Sequence, residues 1–329
     1  MAEVVTLGEC LIAFVAEAPG PLAGATRFER FVAGAEANVA VGVARLGHTV
    51  AFVGRVGADG FGEAIRRQLR GEGVETGHLI TDETGGTGLM FRERRHLGSA
   101  QIVYARQGSA GSRLSVEDVD RAAAGGLFHD ARWLHLSGIT PALSDGARAA
   151  AFRAAEVAKA AGLTISVDLN LRRRLWSDEA ARPVLRQLAA SAHVIFGSPD
   201  EFAAVAGDGL AGTPEELARA ALSLGPSVAV VKLGAGGALL LTADERGTPV
   251  VRPAVPLPVV VDPVGAGDAF CAGFIAARLE ALPLDRALEW ANGCGAAGAA
   301  ALGDQTGLPD RDELLALLAA GEGAPDTIR

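Results

Sequence analysis

Short apolar runs rich in β-branched residues alternate with amphipathic helical patterns along most of this chain. Such alternation is typical of a parallel sheet whose connecting helices cover both of its faces. The apolar runs predict strands at residues 4–7, 50–53, 133–136, 164–167, 194–196, 228–231 and 238–241. The helical patterns lie at residues 36–46, 61–70, 147–161, 179–190, 199–205, 269–281, 284–302 and 312–319, and a capping box at 213–216 opens one more helix. The fold class is therefore α/β.

Two segments, residues 10–33 and 87–106, interrupt this alternation. They have no helical period but contain β-like runs at residues 11–15, 27–32, 89–92 and 101–104. They form either two surface hairpins or a small β-sheet lid over a cleft, and we favour the lid. The sequence shows no repeats, charge blocks or linkers, so we expect residues 1–329 to form a single domain with these two lid segments inserted.

The charge balance excludes several function classes. The formal net charge of −9 argues against binding to nucleic acid or to anionic membranes. The longest stretch without charged residues, 290–303, is shorter than the ~20 residues of a membrane span, and residues 1–3 do not resemble a secretory signal.

Cys10, Cys271 and Cys294 are widely spaced, so we interpret them as reduced core thiols of a cytoplasmic protein rather than metal ligands or a redox pair.

The segment with the clearest chemical meaning is residues 262–270, Asp-Pro-Val-Gly-Ala-Gly-Asp-Ala-Phe. A β-like run over residues 259–261 ends at Asp262, a turn of Gly265, Ala266 and Gly267 follows, and a helix begins after it. Backbone N–H groups at such a helix start form a site for a phosphate. Asp268, in the first helical turn, is suited to accept a proton from an attacking hydroxyl. The alternative is an ordinary strand–helix turn in which Asp268 only complements the helix dipole.

Residues 262–270 resemble the signature of the ribokinase-like (PfkB) carbohydrate kinases, and residues 34–40 and 54–62 are similar to that family's first signature. The resemblance covers nearly the whole chain. It implies a ribokinase-like three-layer α/β/α sandwich with a mostly parallel central sheet and a small β-sheet lid. It also implies an ATP- and Mg²⁺-dependent kinase, allows activation by K⁺, and suggests a homo-oligomer, either a dimer through the lid or a higher assembly.

Within the family, residues 104–110, 136–140, 168–172 and 175–176 are most similar to 2-keto-3-deoxygluconate kinases. This resemblance implies phosphorylation of the 6-hydroxyl of that sugar acid. A sugar acid carries a carboxylate, which the planar fork of arginine recognises well, and Arg106 and Arg172 stand at positions that match the family's substrate residues. A fructokinase, a ribokinase or a 2-ketogluconate kinase remains the alternative.

The resemblance also assigns the remaining sugar-site residues. Gly34 lets the backbone approach the sugar, Asn38 lies one helical turn later, and Tyr104 shares a strand face with Arg106. Asp304 matches a substrate contact. Met90 is a departure, because 2-keto-3-deoxygluconate kinases carry a tyrosine there, and methionine offers packing without a hydroxyl.

The nucleotide site follows in the same way. The expected ATP-binding residues are Asn170, Arg172, Ser198, Lys232, Gly234, Gly237, Gly265, Ala266, Gly267 and Asn292. Glu201 matches an acid that organises Mg²⁺ through water, whereas Ser198 replaces the usual asparagine of that motif with a shorter side chain.

Two other function classes are disfavoured. A GxGxxG string at residues 207–212 follows a helix rather than a strand, so it lacks the setting of a dinucleotide-binding loop and argues against a dehydrogenase. A regulator without turnover is disfavoured by Asp268 and by the Gly265–Gly267 turn, which are both intact.

Overall fold

The structure, a computed structural model, describes residues 2–94, 101–207, 212–244 and 248–322. In these ranges the strands are β1 Val4–Leu7, β2 Leu11–Pro19, β3 Phe28–Ala33, β4 Val50–Gly57, β5 Leu79–Asp82, β6 Leu89–Arg94, β7 Ile102–Ala105, β8 Trp133–Ser137, β9 Thr164–Asp168, β10 Val194–Gly197, β11 Val228–Lys232, β12 Ala238–Thr242 and β13 Val250–Arg252. The helices are α1 Ala35–Arg45, α2 Gly60–Gly71, α3 Val116–Ala124, α4 Asp145–Ala160, α5 Asp178–Ser191, α6 Pro199–Ala206, α7 Pro214–Leu222, α8 Ala266–Leu279, α9 Leu284–Ala299 and α10 Arg311–Glu322.

The large sheet confirms the predicted α/β fold class. Within the described residues its strand order is β13-β12-β11-β10-β9-β8-β1-β4-β5. The pairs from β11 to β5 are all parallel, whereas β12 runs antiparallel to both β11 and β13. The register places Val4 opposite both Val50 and Trp133. In a parallel sheet the carboxyl ends of neighbouring strands meet at one edge, so residues that follow β1, β8, β9, β10 and β11 are brought together.

Helices cover both faces of this sheet because successive strand side chains point to opposite sides. Val4 and Phe196 point into a buried cluster that includes side chains of α1, α8 and α9. Their chain neighbours Val5 and Ile195 point into two clusters formed with α3–α4 and α5–α7 respectively. The result is the three-layer sandwich that the family resemblance implies.

The two segments that interrupt the alternation form a second, four-stranded sheet, ordered β3-β2-β6-β7 in the described part of the chain. Strand β2 pairs antiparallel with β3 and parallel with β6, and β6 pairs antiparallel with β7. The small sheet predicted for residues 10–33 and 87–106 is therefore confirmed, and the alternative of two separate hairpins is wrong.

The strand predicted to end at Asp262 is wrong. Residues 259–262 form no strand, and Val259, Val260 and Val261 are 67%, 60% and 46% exposed. The N–H groups of Val261 and Asp262 instead donate to the carbonyl of Ala299, at the end of α9. β-branched residues favour strands only where a partner edge is within reach.

Other differences concern segments with weaker patterns. The sequence did not predict α3, β5 or β13, and α9 ends three residues before the predicted 302. Most of the GxGxxG string, residues 208–211, lies outside the described residues.

Two further predictions can be compared with the structure. Cys10, Cys271 and Cys294 are free and buried, as expected for core thiols. Among the described residues, no helix combines the length and the apolar character that crossing a membrane requires.

Candidate active site

A cleft of about 360 Å³ opens at the carboxyl edge of the large sheet. Its walls come from the segments after β1, β8, β9, β10 and β11, from the N-termini of α1 and α8, and from the small sheet. Of the predicted site residues it collects Gly34, Asn38, Met90, Tyr104, Arg106, Asn170, Arg172, Ser198, Glu201, Lys232, Gly265, Gly267, Asp268 and Asp304. Residues distant in sequence thus share one cleft.

The predicted turn of Gly265, Ala266 and Gly267, here called the turn before α8, has the backbone that an anion site needs. Helix α8 begins inside this turn, at Ala266, rather than after it. Gly265 is the N-cap of α8 and has a φ of +83°, and a Cβ there would lie 2.6 Å from the carbonyl oxygen of Asp304. The N–H groups of Gly265 and Gly267 have no partner among the described residues, whereas that of Ala266 donates to the Pro263 carbonyl at 3.3 Å. Unpaired N–H groups at a helix N-terminus attract anions.

Asp268, in the first turn of α8, is buried in the floor of the cleft. Its Oδ2 accepts a hydrogen bond from the Asn38 amide at 2.8 Å, and the Asn170 amide lies 3.5 Å from Oδ1. Burial raises the pKa of Asp268 to about 7, the nearby carboxylate of Asp168 adds to the rise, and the Asn38 hydrogen bond opposes it. A carboxyl group with a pKa near neutrality is suited to proton transfer.

Asp304 is the second buried carboxyl group of the cleft. Its Oδ2 lies 3.5 Å from the Asn38 amide nitrogen, and its Oδ1 is buried with no hydrogen-bond partner among the described residues. Burial raises the pKa of Asp304 to about 6, and the positive charge of Arg92 opposes this rise. An unpartnered buried acceptor is available to a ligand hydroxyl.

The Lys232 ammonium group makes an ion pair with Asp168, the last residue of β9. Its Nζ donates to the two carboxylate oxygens of Asp168 at 2.8 and 2.7 Å. Although burial alone would lower it, Asp168 raises the pKa of Lys232, so the ammonium group stays charged. A Cβ at Gly267 would lie 3.3 Å from this Nζ, so the charge sits beside the turn before α8.

The small sheet supplies one wall of the cleft. Met90 on β6 lies opposite Tyr104 on β7, and the guanidinium of Arg106 stacks 5.2 Å from the centre of the Tyr104 ring. Arg106 also makes an ion pair with the buried Glu9, which accepts a hydrogen bond from Ser109 Oγ at 2.5 Å. The charge of Arg106 is therefore already balanced by protein.

Arg172, in contrast, is exposed, and its guanidinium makes no hydrogen bond or ion pair among the described residues. Its positive charge faces the carboxyl groups of Asp268 and Asp304, and it partly opposes the rise in their pKa values. Asn170, two residues earlier, has a positive φ of +36°, a conformation that asparagine tolerates better than most residues. This backbone brings both residues to the cleft directly after β9.

Gly34 lies on the opposite wall, as the N-cap of α1. Its φ is +137°, and a Cβ there would lie 2.3 Å from the carbonyl oxygen of Glu9. A side chain at position 34 would therefore displace the segment that follows β1.

A second cavity, of about 480 Å³, adjoins the cleft. Lys232, Pro263 and Gly267 line both spaces, so they mark the boundary between them. The predicted nucleotide residues Gly234, Gly237, Ala266 and Asn292 line this second cavity. Its other walls are mainly apolar, formed by Ala254, Val255, Pro256, Leu257, Val260, Phe270, Ala296 and Ala299.

Asn292 also makes two hydrogen bonds to the backbone at this cavity. Its amide nitrogen donates to the carbonyls of Arg252 and Pro253 at 3.2 and 3.0 Å, which holds the adjoining wall.

Ser198 and Glu201 form the capping box of α6. Ser198 is the N-cap, and its N–H donates to Glu201 Oε2 at 2.7 Å. Glu201 Oε1 accepts from the N–H of Leu171 at 2.8 Å. The carboxylate of Glu201 is thus fixed at the edge of the cleft, with lone pairs left for a hydrated cation.

Sequence reasoning did not assign several residues that line the cleft. Glu9 and Asp168 could have been found, because each stands at the carboxyl end of a strand. The other residues are apolar, and those that lie within quoted motifs were given no role of their own. The additional residues are Glu9, Leu11, Ala33, Ala35, Ile102, Ile139, Asp168, Pro263 and Val264.

Known proteins resemble this chain over nearly its whole length. It is 35% identical to the 2-dehydro-3-deoxygluconokinase of Bacillus subtilis (strain 168), covering 97% of this chain and 96% of that protein. The identity is 37% to the protein of the same name from Thermoproteus tenax, covering 97% and 95%. Fructokinase-1 of Oryza sativa subsp. japonica is 35% identical, covering 96% and 97%.

A solved structure also resembles this chain over nearly its whole length. A proposed ribokinase II from E. coli, determined in complex with ATP and Mg²⁺, matches with a TM-score of 0.87 and 26% identity, covering 97% of this chain and 100% of that chain. The sequence model described as "pfkB family carbohydrate kinase" matches residues 1–311. The chain therefore belongs to the pfkB family of carbohydrate kinases.

Proposed function

We propose that this kinase transfers the γ-phosphoryl group of ATP to the 6-hydroxyl of 2-keto-3-deoxy-D-gluconate, which is also called 2-dehydro-3-deoxygluconate. One observation carries the proposal: the unpaired Arg172, the buried Asp268 and the Gly265–Gly267 turn face one cleft. The names of the Bacillus and Thermoproteus relatives agree with this substrate. The product is 2-keto-3-deoxy-6-phosphogluconate.

In the proposed reaction Asp268 is the general base. It takes the proton of the 6-hydroxyl as that oxygen attacks the γ-phosphorus, and the bond from phosphorus to the β–γ bridging oxygen breaks to release ADP. The hydrogen bond from Asn38 and the approach of Asn170 orient the carboxylate toward the cleft. The same cleft holds the sugar, so the base lies in the space that the attacking hydroxyl enters.

The nucleotide lies with its base in the apolar second cavity and its phosphates toward the boundary at Lys232, Pro263 and Gly267. The free N–H groups of Gly265 and Gly267 stabilise the charge on the transferring phosphoryl group. Mg²⁺ enters with ATP as part of the substrate, and Glu201 holds its hydration shell.

The sugar acid is bound mainly through its charge. Arg172 pairs with the substrate carboxylate because its guanidinium has no protein partner among the described residues, whereas Arg106 is shared with Glu9 and shapes the wall with Tyr104. Asp304 accepts from a sugar hydroxyl through its unpartnered Oδ1. Gly34, Asn38 and Met90 complete the sugar site.

The alternative is another sugar kinase of the family, such as a fructokinase, a ribokinase or a 2-ketogluconate kinase. The identity to the rice fructokinase equals that to the Bacillus relative, and Met90 offers no hydroxyl to the substrate. Activation by K⁺, a cytoplasmic location, the single-domain organisation and a homo-oligomer stay predictions.

The first test removes the proposed base. Asp268→Asn keeps the size of the side chain and loses its basicity, so we expect kcat to fall by at least ~10²–10⁴-fold while ATP binding is retained. Steady-state kinetics and calorimetric titration of ATP measure the two effects. The control is Asp145→Asn, an exposed carboxylate on α4. Turnover near the wild-type rate would remove Asp268 from this role.

The second test uses pH. The base acts only when ionised, so a pKa of about 7 for Asp268 predicts that kcat/KM falls as the pH drops below 7 and is level above it. In Asn38→Ser the midpoint moves upward, because the lost hydrogen bond stabilises the carboxylate. A wild-type profile that is flat across neutrality contradicts the assignment.

The third test concerns the substrate carboxylate. Arg172→Ala is expected to lower kcat/KM for 2-keto-3-deoxygluconate by ~10–100-fold, the usual effect of a lost charge-assisted hydrogen bond, and to change that for fructose much less. Arg173→Ala is the matched control, because the neighbouring guanidinium pairs with Asp178 on the surface. Equal losses for both sugars would assign Arg172 to phosphate instead.

A further inference from the structure

A buried ion pair joins the small sheet to the turn before α8. The guanidinium of Arg92, on β6, donates to both oxygens of Asp262, with Nη1–Oδ1 and Nη2–Oδ2 distances of 2.7 and 2.5 Å. Both residues are only 4% exposed. Sequence reasoning assigned no role to Arg92, and the proposed mechanism does not use it.

The carboxylate of Asp262 holds two further segments. Its Oδ1 accepts from the N–H of Val264, directly before Gly265, at 3.2 Å, and its Oδ2 accepts from the N–H of Gly303 at 3.1 Å. Gly303 precedes Asp304, whose carbonyl lies against Gly265. One carboxylate therefore fixes both sides of the turn whose N–H groups face the cleft.

Arg92 is the part of this network that comes from the small sheet. Two residues before it, Met90 lies on the same face of β6 and lines the cleft, as the alternation of strand side chains requires. A single strand thus carries one residue that faces the sugar site and one that holds the turn before α8. The Arg92–Asp262 pair therefore links the small sheet to the segment that leads into α8.

We propose that Arg92 is a positioning residue for phosphoryl transfer, which sets the Gly265–Gly267 turn by holding Asp262. The proposal rests on the anion-binding role proposed above for that turn. Arg92 itself lines neither the cleft nor the second cavity. Its bidentate fork keeps the orientation of the Asp262 carboxylate, which a single point charge does not fix.

The test variant is Arg92→Lys, which keeps the buried positive charge and removes the fork. Because a small misplacement of transition-state donors strongly slows a reaction, we expect kcat to fall by ~10–100-fold. The KM values for sugar and for ATP are expected to change by less than about threefold, since ground-state contacts remain. The assay uses whichever sugar the wild type phosphorylates fastest, so an error in the substrate assignment does not affect it.

The matched control is Arg94→Lys, an exposed arginine on the same strand, for which we expect wild-type kinetics. Calorimetric titration with ADP counts folded sites, so kcat is expressed per binding site. A second variant, Arg92→Met with Asp262→Asn, removes both charges together and leaves neither buried without a partner. We expect it to bind ADP and to show the same selective loss of kcat.

Two results would overturn the proposal. One is a kcat per ADP-binding site at the wild-type level in both variants, which would make the pair only structural. The other is a loss confined to the KM of the sugar, which would make Arg92 part of the sugar wall. Activity retained by Asp268→Asn would instead refute the proposed function, independently of either result.

Discussion

The burial of several carboxyl groups at one edge of the large sheet is the constraint on which the site depends. Asp168, Asp268 and Asp304 are all nearly inaccessible to solvent, and buried negative charges repel one another and lose hydration. The protein balances one of them fully, by pairing Asp168 with Lys232. The other two keep raised pKa values and accept hydrogen bonds from neutral amides, which is consistent with the roles proposed for them above.

The small sheet completes this arrangement because it supplies arginine side chains and one wall of the cleft at the same edge of the large sheet. Arg106 comes from the end of β7 and is neutralised by Glu9, whereas Arg92 crosses to Asp262 under the turn before α8. Among the basic side chains of the described residues that line the cleft, only the guanidinium of Arg172, in the segment after β9, lacks a protein partner. The site thus has one positive group left for an anionic substrate, and this division of roles among three arginines underlies the proposed preference for a sugar acid.

Local patterns predicted most of the fold, and the family resemblance supplied most of the candidate site residues. Long-range pairing explains what both missed. The order of strands and helices follows from the periodicity of apolar residues, and residues 262–270 predict the turn before α8. The valines at 259–261 were misassigned because their β propensity has no strand edge to pair with. Arg92 was missed because its partner is 170 positions away in sequence, and an isolated arginine on a strand carries no local signal. Glu9 was missed although its place after β1 is typical of site residues.

The most direct test of the central claim is the substrate preference of the wild-type protein. ADP formation from ATP and Mg²⁺ would be measured with equal concentrations of 2-keto-3-deoxygluconate, 2-ketogluconate, gluconate, fructose and ribose. We predict a kcat/KM for 2-keto-3-deoxygluconate at least about tenfold above those for the neutral sugars, because only a sugar acid pairs with Arg172. A preference for fructose or ribose would contradict the account and assign the cleft arginines to phosphate binding or to structure.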